Sequence, residues 1–311
     1  MSGSRCPVQV RCDTAGMDAI GIRVERHRSE LGTWELATRP AHPALRAHLA
    51  GYCGYREDTP GGFRRREVPS AQVPLIISFG DPLWVGAPGG RPGCDVTSFV
   101  AGLHDRPVVT EHAGRQHGIE VLLTPLGAYT LLGVPMRELA NRVVELGELL
   151  GDGAGKLAGR LAETPGWDER LALLDDALGL RLAAGPQPSP EVRHVWGRLL
   201  RTHGGVPVGG LAGEVGWSRR HLVARFHEQV GLPPKVMARV LRFQRSLRLL
   251  EAEAARPAGT RRRAGRSWAE LALACGYYDQ AHLNRDFRAF AGCTPSEFLA
   301  ARLPGGAGVA G

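Results

Sequence analysis

The sequence lacks an apolar run approaching the roughly 18–20 residues that cross a bilayer, so no membrane partner is predicted. Its first residues, "MSGSRCPVQVRCDTAGMD", lack the apolar segment of a signal peptide and the pattern of a transit peptide. We therefore expect a frayed start and a cytoplasmic protein. Cysteine is scarce, with six in 311 residues and none in a C-x-x-C pair, which predicts reduced structural thiols rather than disulfides or a cysteine-based zinc site.

Lysine is also rare, and nearly all the positive charge is arginine. The net charge of +8 is unevenly placed: residues 190–303 hold nineteen Lys plus Arg against nine Asp plus Glu. The rest of the chain is therefore slightly acidic. A basic C-terminal third on such a body predicts a polyanion-binding module attached to another domain.

Length and composition favour a globular protein of two domains, since the chain has 311 residues and a hydrophobic content of 43%. The first 135 residues are rich in proline and glycine and contain short β-like runs, a pattern typical of a barrel or sandwich. The clearest runs are residues 73–80, 82–86, 97–102, 106–112 and 118–125.

The hydrophobic period then changes to that of helices. The segments "MRELANRVVELGELLG" (136–151) and "WDERLALLDDALGLRLAA" (167–184) are both predicted to be helical. "GPQPSP" (185–190) is the predicted domain linker. The segments predicted as helices after it are 190–203, 208–216, 218–230, 234–255, 267–275, 279–291 and 295–302.

These patterns predict an α+β protein with a mostly-β N-terminal domain and an all-α C-terminal domain. The predicted units are an N-terminal domain at 1–184 (barrel about 30–135, helices about 136–184), the linker at 185–190, a helical domain at 191–303 and a disordered tail at 304–311. A basic loop, "RPAGTRRRAGR" (256–266), interrupts the helices.

One short element occurs twice in the helical domain. "GYYDQAHLNRDFRAFAGCTP" (276–295) repeats the spacing of His, Leu, Phe, Gly and Pro found in "SRRHLVARFHEQVGLPP" (218–234). In the second copy Ser267 is suited to cap one helix, Gly276 to end it and Asp279 to cap the next. Two helices joined by a tight glycine turn predict a helix-turn-helix in each copy.

The second helix of each copy has two different faces. Leu222 and Phe226 in the first copy, and Leu283, Phe287 and Phe290 in the second, are predicted to pack inward. The opposite face carries Arg220, Ala224 and His227, flanked by Val223, in the first copy and Ala281, Asn284, Arg285 and Arg288 in the second. Arginine, asparagine and small residues suit the major groove of DNA.

Two other interpretations apply to parts of this pattern. An arginine-bearing face is often only a solvated surface, but two copies in register within a basic domain favour DNA binding. His221 and His282 are interpreted as packing or phosphate contacts rather than metal ligands. Arg242, Arg245 and Arg248 on the connecting helix, and the 261–266 run, are expected to meet phosphates.

The sequence of the helical domain resembles that of the AraC/XylS transcription regulators. The motifs "L-A-x-x-x-G-[WY]", "H-L-x-x-x-F" and "G-x-x-P-x-x-[FY]" carry the resemblance, which covers residues of about 190–302. It implies two recognition helices, one turn of DNA apart, in successive major grooves. The family commonly has arginine two residues after the leucine; Arg285 fits, but the first copy has Ala224, with Arg225 displaced by one.

The resemblance implies base-reading positions in each copy. By register they fall on Arg220, Val223 and Ala224 in the first copy and on Gln280, Ala281, His282 and Arg285 in the second. Together with the outward faces, the predicted DNA-binding residues are Arg219, Arg220, Val223, Ala224, Gln280, Ala281, His282, Asn284, Arg285 and Arg288.

The resemblance also implies a cupin-like N-terminal barrel that senses a small molecule or mediates dimerisation. Residues of about 118–151 are similar to the strand, loop and helix that close this domain in related regulators. Helix 136–150 is expected either to form a dimer face or to cover the barrel. A pocket for an apolar ligand is predicted from some of Trp84, Phe79, Phe99 and Tyr129, which otherwise are ordinary core.

No metal site or cofactor is predicted. His112, His117 and Glu120 are close in sequence, but a metal cupin expects the tighter H-x-H-x(3–4)-E. The predicted function is therefore a sequence-specific transcription regulator and not an enzyme. The alternatives are a metal-dependent cupin enzyme or DNA-repair protein fused to a DNA-binding module, and a generic nucleic-acid compaction protein. Double-stranded DNA is the predicted partner; a small-molecule effector, RNA polymerase and a second copy of the chain stay open.

Overall fold

The computed structural model describes residues 21–29, 32–89, 92–254, 267–301 and 309–310. The predictions for the first twenty residues, for the basic loop and for most of the tail lie outside these residues. No helix in the described ranges is long and apolar enough to cross a membrane.

The N-terminal region is built mainly from antiparallel strands, as the sequence predicted. The strands are β1 Arg23–Ser29, β2 Gly32–Pro40, β3 Leu49–Asp58, β4 Phe63–Glu67, β5 Val73–Ser78, β6 Leu83–Gly86, β7 Gly93–Val96, β8 Phe99–Ala101, β9 Val108–His112, β10 Arg115–Leu123, β11 Val143–Glu145 and β12 Val309–Ala310. Within the described residues they form one sheet of order β1-β2-β3-β10-β5-β8-β11 and another of order β12-β4-β9-β6-β7.

The two faces of the larger sheet have different neighbours. Along β5, Val73, Leu75 and Ile77 are buried in the main core, while Pro74 and Ile76 alternate with them and line a cavity between the sheets. This alternation follows from the two-residue period of a strand. One face therefore packs against helices and the other encloses space.

Helices cover the outer face of the larger sheet. They are α1 Pro125–Leu132, α2 Leu146–Leu150, α3 Asp152–Glu163 and α4 Trp167–Ala184. Asp175 of α4 accepts a 2.6 Å hydrogen bond from Tyr52 Oη and also pairs with Arg39, so a buried polar cluster fixes α4 to the sheet. Gly54 is required opposite this helix, because a side chain there would clash with the Trp167 ring.

The predicted helix over 136–151 is wrong. This segment instead forms a 3-10 turn at Met136–Glu138, then strand β11 and then the short helix α2. Asn141, with a φ of 58°, breaks any continuous helix. The β-branched Val143 and Val144 pair with β8, which would otherwise leave an open edge.

The C-terminal region is helical and its helices begin and end within a few residues of the predicted bounds. They are α5 Pro190–Arg201, α6 Val208–Glu214, α7 Arg219–Val230, α8 Pro234–Ala254, α9 Trp268–Ala274, α10 Gln280–Ala291 and α11 Pro295–Ala301. Helix α8 lies at the centre: Phe243 contacts Phe287 of α10 edge-on and Phe290 at a tilt, with ring centroids 5.0 and 5.3 Å away.

The tail prediction is wrong for two residues. Val309 and Ala310 form β12, which pairs with Arg66 and Arg65 of β4. This pairing gives the edge strand β4 a second partner for its backbone hydrogen bonds.

Candidate nucleic-acid interface

Two helix-turn-helix units have the same local construction. The turn between α6 and α7 contains Gly216 at a φ of 68°, and the turn between α9 and α10 contains Gly276 at a φ of 81°. Ser218 Oγ accepts a 3.2 Å hydrogen bond from the backbone N–H of His221, and Asp279 Oδ1 accepts one of 2.7 Å from the backbone N–H of His282. Each residue thus caps the second helix of its unit. Glycine tolerates this left-handed backbone and the caps satisfy free N–H groups, so the sequence itself directs both turns.

An edge-on contact between a histidine and an aromatic ring stabilises each of the two turns. The His221 ring meets the Trp217 ring edge-on at 4.5 Å, and the His282 ring meets the Tyr277 ring in the same way at 5.1 Å. This supports the packing interpretation of the two histidines. Because Tyr277 is itself buried, the contact holds the start of α10 against the core.

The second helix of each unit packs through the predicted face. Leu222, Phe226, Leu283 and Phe287 are fully buried. On the opposite sides, seven of the predicted DNA-binding residues are exposed: Arg219, Arg220, Ala224, Gln280, Ala281, Arg285 and Arg288. Three are half-buried: Val223, His282 and Asn284. We call these exposed sides of α7 and α10 the reading faces.

Two arginines near the reading faces already have partners within the protein. Arg225, next to the position where the family has arginine, pairs through its Nη1 with Glu228 Oε2 at 2.7 Å. Arg242 Nη1 donates a 2.8 Å hydrogen bond to the Gly204 carbonyl, and the guanidinium lies 5.8 Å from the Tyr277 ring centre. Arg242 thus joins two turns of the domain, and its phosphate contact stays a prediction.

An ion pair with a buried carboxylate, which sequence reasoning missed, holds α10 against α8. Arg239 donates from Nε and Nη2 to Asp286 Oδ1, at 3.1 and 2.7 Å, and Asp286 is 2% exposed. No local spacing links these residues, which are 47 positions apart. Arg248, further along α8, is exposed, and Arg245 is half-buried.

The N-terminal domain contacts the far ends of both reading helices. Gly231, which ends α7, packs so closely on the 3-10 turn that an added Cβ would lie 3.2 Å from the Met136 carbonyl oxygen. At the end of α10, the Ala291 carbonyl accepts a 3.2 Å hydrogen bond from Arg66 of β4. Apart from Arg288, in the last turn of α10, the residues of the reading faces lie in the first half of each helix.

A cavity of about 220 Å³ lies between the two sheets. Of the four aromatic residues predicted for a pocket, Phe99 lines it. Trp84 instead packs over Gly86 and Gly93, and Phe79 meets His117 edge-on at 5.1 Å. The pocket prediction therefore holds for one of its residues.

The three residues weighed as metal ligands do not converge. His112 and Glu120 line the cavity, whereas His117 lies on the opposite face of β10, where Arg170 Nη1 is 3.1 Å from its Nε2. Burial, with the charges of Arg56 and Arg170, lowers the pKa of His117 to about 4. No cluster of three or more His, Cys, Asp or Glu side chains placed to hold a metal ion was found within the described residues.

Comparison with known families agrees with this geometry. A family described as a helix-turn-helix domain matches residues 211–301, and a domain of unknown function, DUF6597, matches residues 37–145. The chain thus carries an AraC-type helix-turn-helix domain behind a mostly-β N-terminal domain. No curated protein matches the chain.

Several solved structures are also similar. ToxT from Vibrio cholerae O395 is 10% identical over 79% of this chain and 95% of its own, with a TM-score of 0.42. The C-terminal domain of AraT, a response regulator from Geobacillus stearothermophilus, is 17% identical over 38% of this chain and 90% of its own, with a TM-score of 0.32. The AraC-like transcriptional activator CuxR is 16% identical over 74% and 85%, with a TM-score of 0.31.

Proposed function

We propose that this protein regulates transcription by inserting α7 and α10 into two successive major grooves of a specific DNA site. The observation that carries the proposal is the equivalence of the two helix-turn-helix units, each with a buried apolar face and an exposed reading face. Arg220 and Arg285 have the donors to bond guanine, and Ala224 and Ala281 allow close approach to the bases. The exposed Arg248 suits a phosphate contact.

The N-terminal domain binds a small molecule in this proposal and acts by binding rather than catalysis. The cavity between the sheets supports this role, because apolar side chains line it together with charged and polar groups that can orient a ligand. A metal-dependent enzyme is the competing function. Elemental analysis of the purified full chain distinguishes the two, since stoichiometric metal would favour the enzyme.

The test of DNA reading begins by selecting bound fragments from random DNA with the full chain. The selected site is then titrated against unrelated DNA at several salt concentrations. We expect the selected site to bind roughly a thousandfold or more tightly and the affinity to fall steeply with salt. Equal affinity for every sequence would instead indicate a compaction protein.

A further inference from the structure

The cavity between the sheets contains buried polar atoms that have no partner. Arg65 and His112, 8% and 5% exposed, both line it. Arg65 Nη2 donates a 2.7 Å hydrogen bond to Glu57 Oε2, and His112 Nε2 lies 3.5 Å from the same oxygen, but across the described ranges neither Arg65 Nε nor His112 Nδ1 has a hydrogen-bond partner. Buried donors in native proteins are nearly always satisfied, so these atoms indicate a missing acceptor.

The charges around the cavity limit what that acceptor can be. The lining contains three carboxylates, Glu57, Glu67 and Glu120, and two guanidinium groups, Arg65 and Arg106. An anionic ligand would therefore add a charge to a lining that already has an excess of carboxylates. A cationic ligand would have to approach Arg65, whose free Nε can only donate. Both considerations favour an uncharged ligand.

The remaining walls and the size of the cavity define the rest of the ligand. Apolar side chains from several strands line it, including Ile76, Val85, Phe99, Val108 and Val143. Its volume of about 220 Å³ is below the ~300–1,000 Å³ typical of sites for drug-sized ligands. The occupant must therefore be small and largely apolar.

We infer that the cavity binds a small, uncharged, mainly apolar molecule whose hydroxyl or carbonyl oxygen accepts a hydrogen bond from Arg65 Nε, with His112 as the second partner. Glu57 holds the guanidinium in place for this bond. The inference rests on the proposed sensing role of the N-terminal domain and specifies the chemistry of its ligand.

Four compounds of matched shape test this inference on the full chain. They are α-tetralone, which carries a carbonyl, tetralin, which has no polar group, tetralin carboxylate, an anion, and aminotetralin, a cation. Binding is measured by calorimetry and by the shift in melting temperature. We expect α-tetralone to bind roughly tenfold or more tightly than the other three, because only it supplies a neutral acceptor.

Variants then assign the contact to its atoms. Arg65→Lys keeps a positive charge beside Glu57 but removes the Nε donor, and His112→Phe keeps a ring but removes both nitrogens. Each should weaken α-tetralone binding roughly tenfold and leave tetralin binding unchanged. Trp84→Phe, outside the cavity, is the matched control and should change neither.

The inference is wrong if the carboxylate or the amine binds best, if tetralin binds as tightly as α-tetralone, or if none of the four binds. It is also wrong if Arg65→Lys and His112→Phe leave the preference for α-tetralone intact. DNA binding is measured without any compound, so a failure to bind DNA can be told apart from a failure to bind α-tetralone. Selective DNA binding with no compound bound would leave the regulator role standing without this ligand class.

Discussion

Arg66 Nη1 donates a 3.2 Å hydrogen bond to the carbonyl oxygen of Ala291, the last residue of the second reading helix. The last carbonyl groups of a helix lack intrahelical partners and carry the negative end of its dipole, so a guanidinium there is favourable. The preceding residue, Arg65, lines the cavity. Two consecutive residues of β4 thus connect the candidate ligand site with the end of α10.

Replacing Arg66 should loosen the end of α10. In Arg66→Leu we expect the backbone amides of the last turn of α10 to exchange hydrogen about two- to tenfold faster, because one charge-assisted bond is lost. Hydrogen exchange of the full chain, followed by mass spectrometry, measures this. Arg64→Leu, at an exposed position on the same strand, is the control. Equal exchange in both variants would show that Arg66 does not restrain α10.

The buried pair of Arg239 and Asp286 should contribute to stability. Arg239→Met leaves the Asp286 carboxylate buried without its donors, which costs roughly 1.5–3 kcal/mol. Urea unfolding monitored by circular dichroism should show a lower midpoint than wild type. Arg288→Met on the exposed side of α10 should unfold as wild type does. An unchanged midpoint for Arg239→Met would mean that water replaces the lost donors.

A charge on the core face should reduce stability, whereas a charge on the reading face should reduce DNA affinity. Leu222→Asp places an unpaired carboxylate in the core of the first unit and should destabilise it by several kcal/mol, on the order of 3–5. Ala224→Asp, two residues away and exposed, should keep the fold but lose DNA affinity by repelling phosphates. Melting curves and gel retardation separate these outcomes. If Leu222→Asp melts as wild type does, the assigned core face is wrong.

The position of His117 predicts a pH dependence of stability. Its pKa is lowered from 6.5 to about 4, first by burial and then by the charges of Arg56 and Arg170. The unfolded chain therefore binds a proton at this site more readily, and the free energy of unfolding should fall as pH drops from 6.5 toward 4 and then level off. His117→Gln should flatten this part of the profile, whereas His42→Gln, at an exposed site, should follow wild type. Parallel profiles for His117→Gln and wild type would remove His117 as the cause.

The C-terminal helices could be predicted because their signals are local. Ser267 and Asp279 are caps, Gly276 adopts the left-handed conformation that ends a helix, and the apolar residues follow the helical period. Each signal acts within a few residues, so neighbouring sequence is enough to place the helix.

The N-terminal domain depends on distant contacts that the sequence does not mark. The apolar spacing of 136–151 fits a helix, but pairing with β8 makes Val143–Glu145 a strand. Glu57, Arg65 and His112 come from three different strands and meet only when the sheets close around the cavity. No spacing rule relates residues brought together in this way.

Arg285 and Arg248 offer a matched comparison that tests whether the reading faces recognise bases while α8 contributes phosphate contacts. Both are exposed arginines, one on the reading face of α10 and one on the connecting helix. If Arg285 bonds a guanine edge, its loss costs roughly 1–3 kcal/mol on the preferred site and relaxes the preference at one base pair. Loss of Arg248 should weaken binding about equally on all sequences and reduce the salt slope by about one.

The most direct measurement is a binding titration of Arg285→Ala and Arg248→Ala in the full chain. The DNA set is the selected site, its single-base variants and unrelated DNA, each at several salt concentrations. We expect Arg285→Ala to lose discrimination at one base pair and Arg248→Ala to keep every preference at lower overall affinity. If both variants lose the same affinity on every sequence, Arg285 is a phosphate contact and the assigned reading face is wrong.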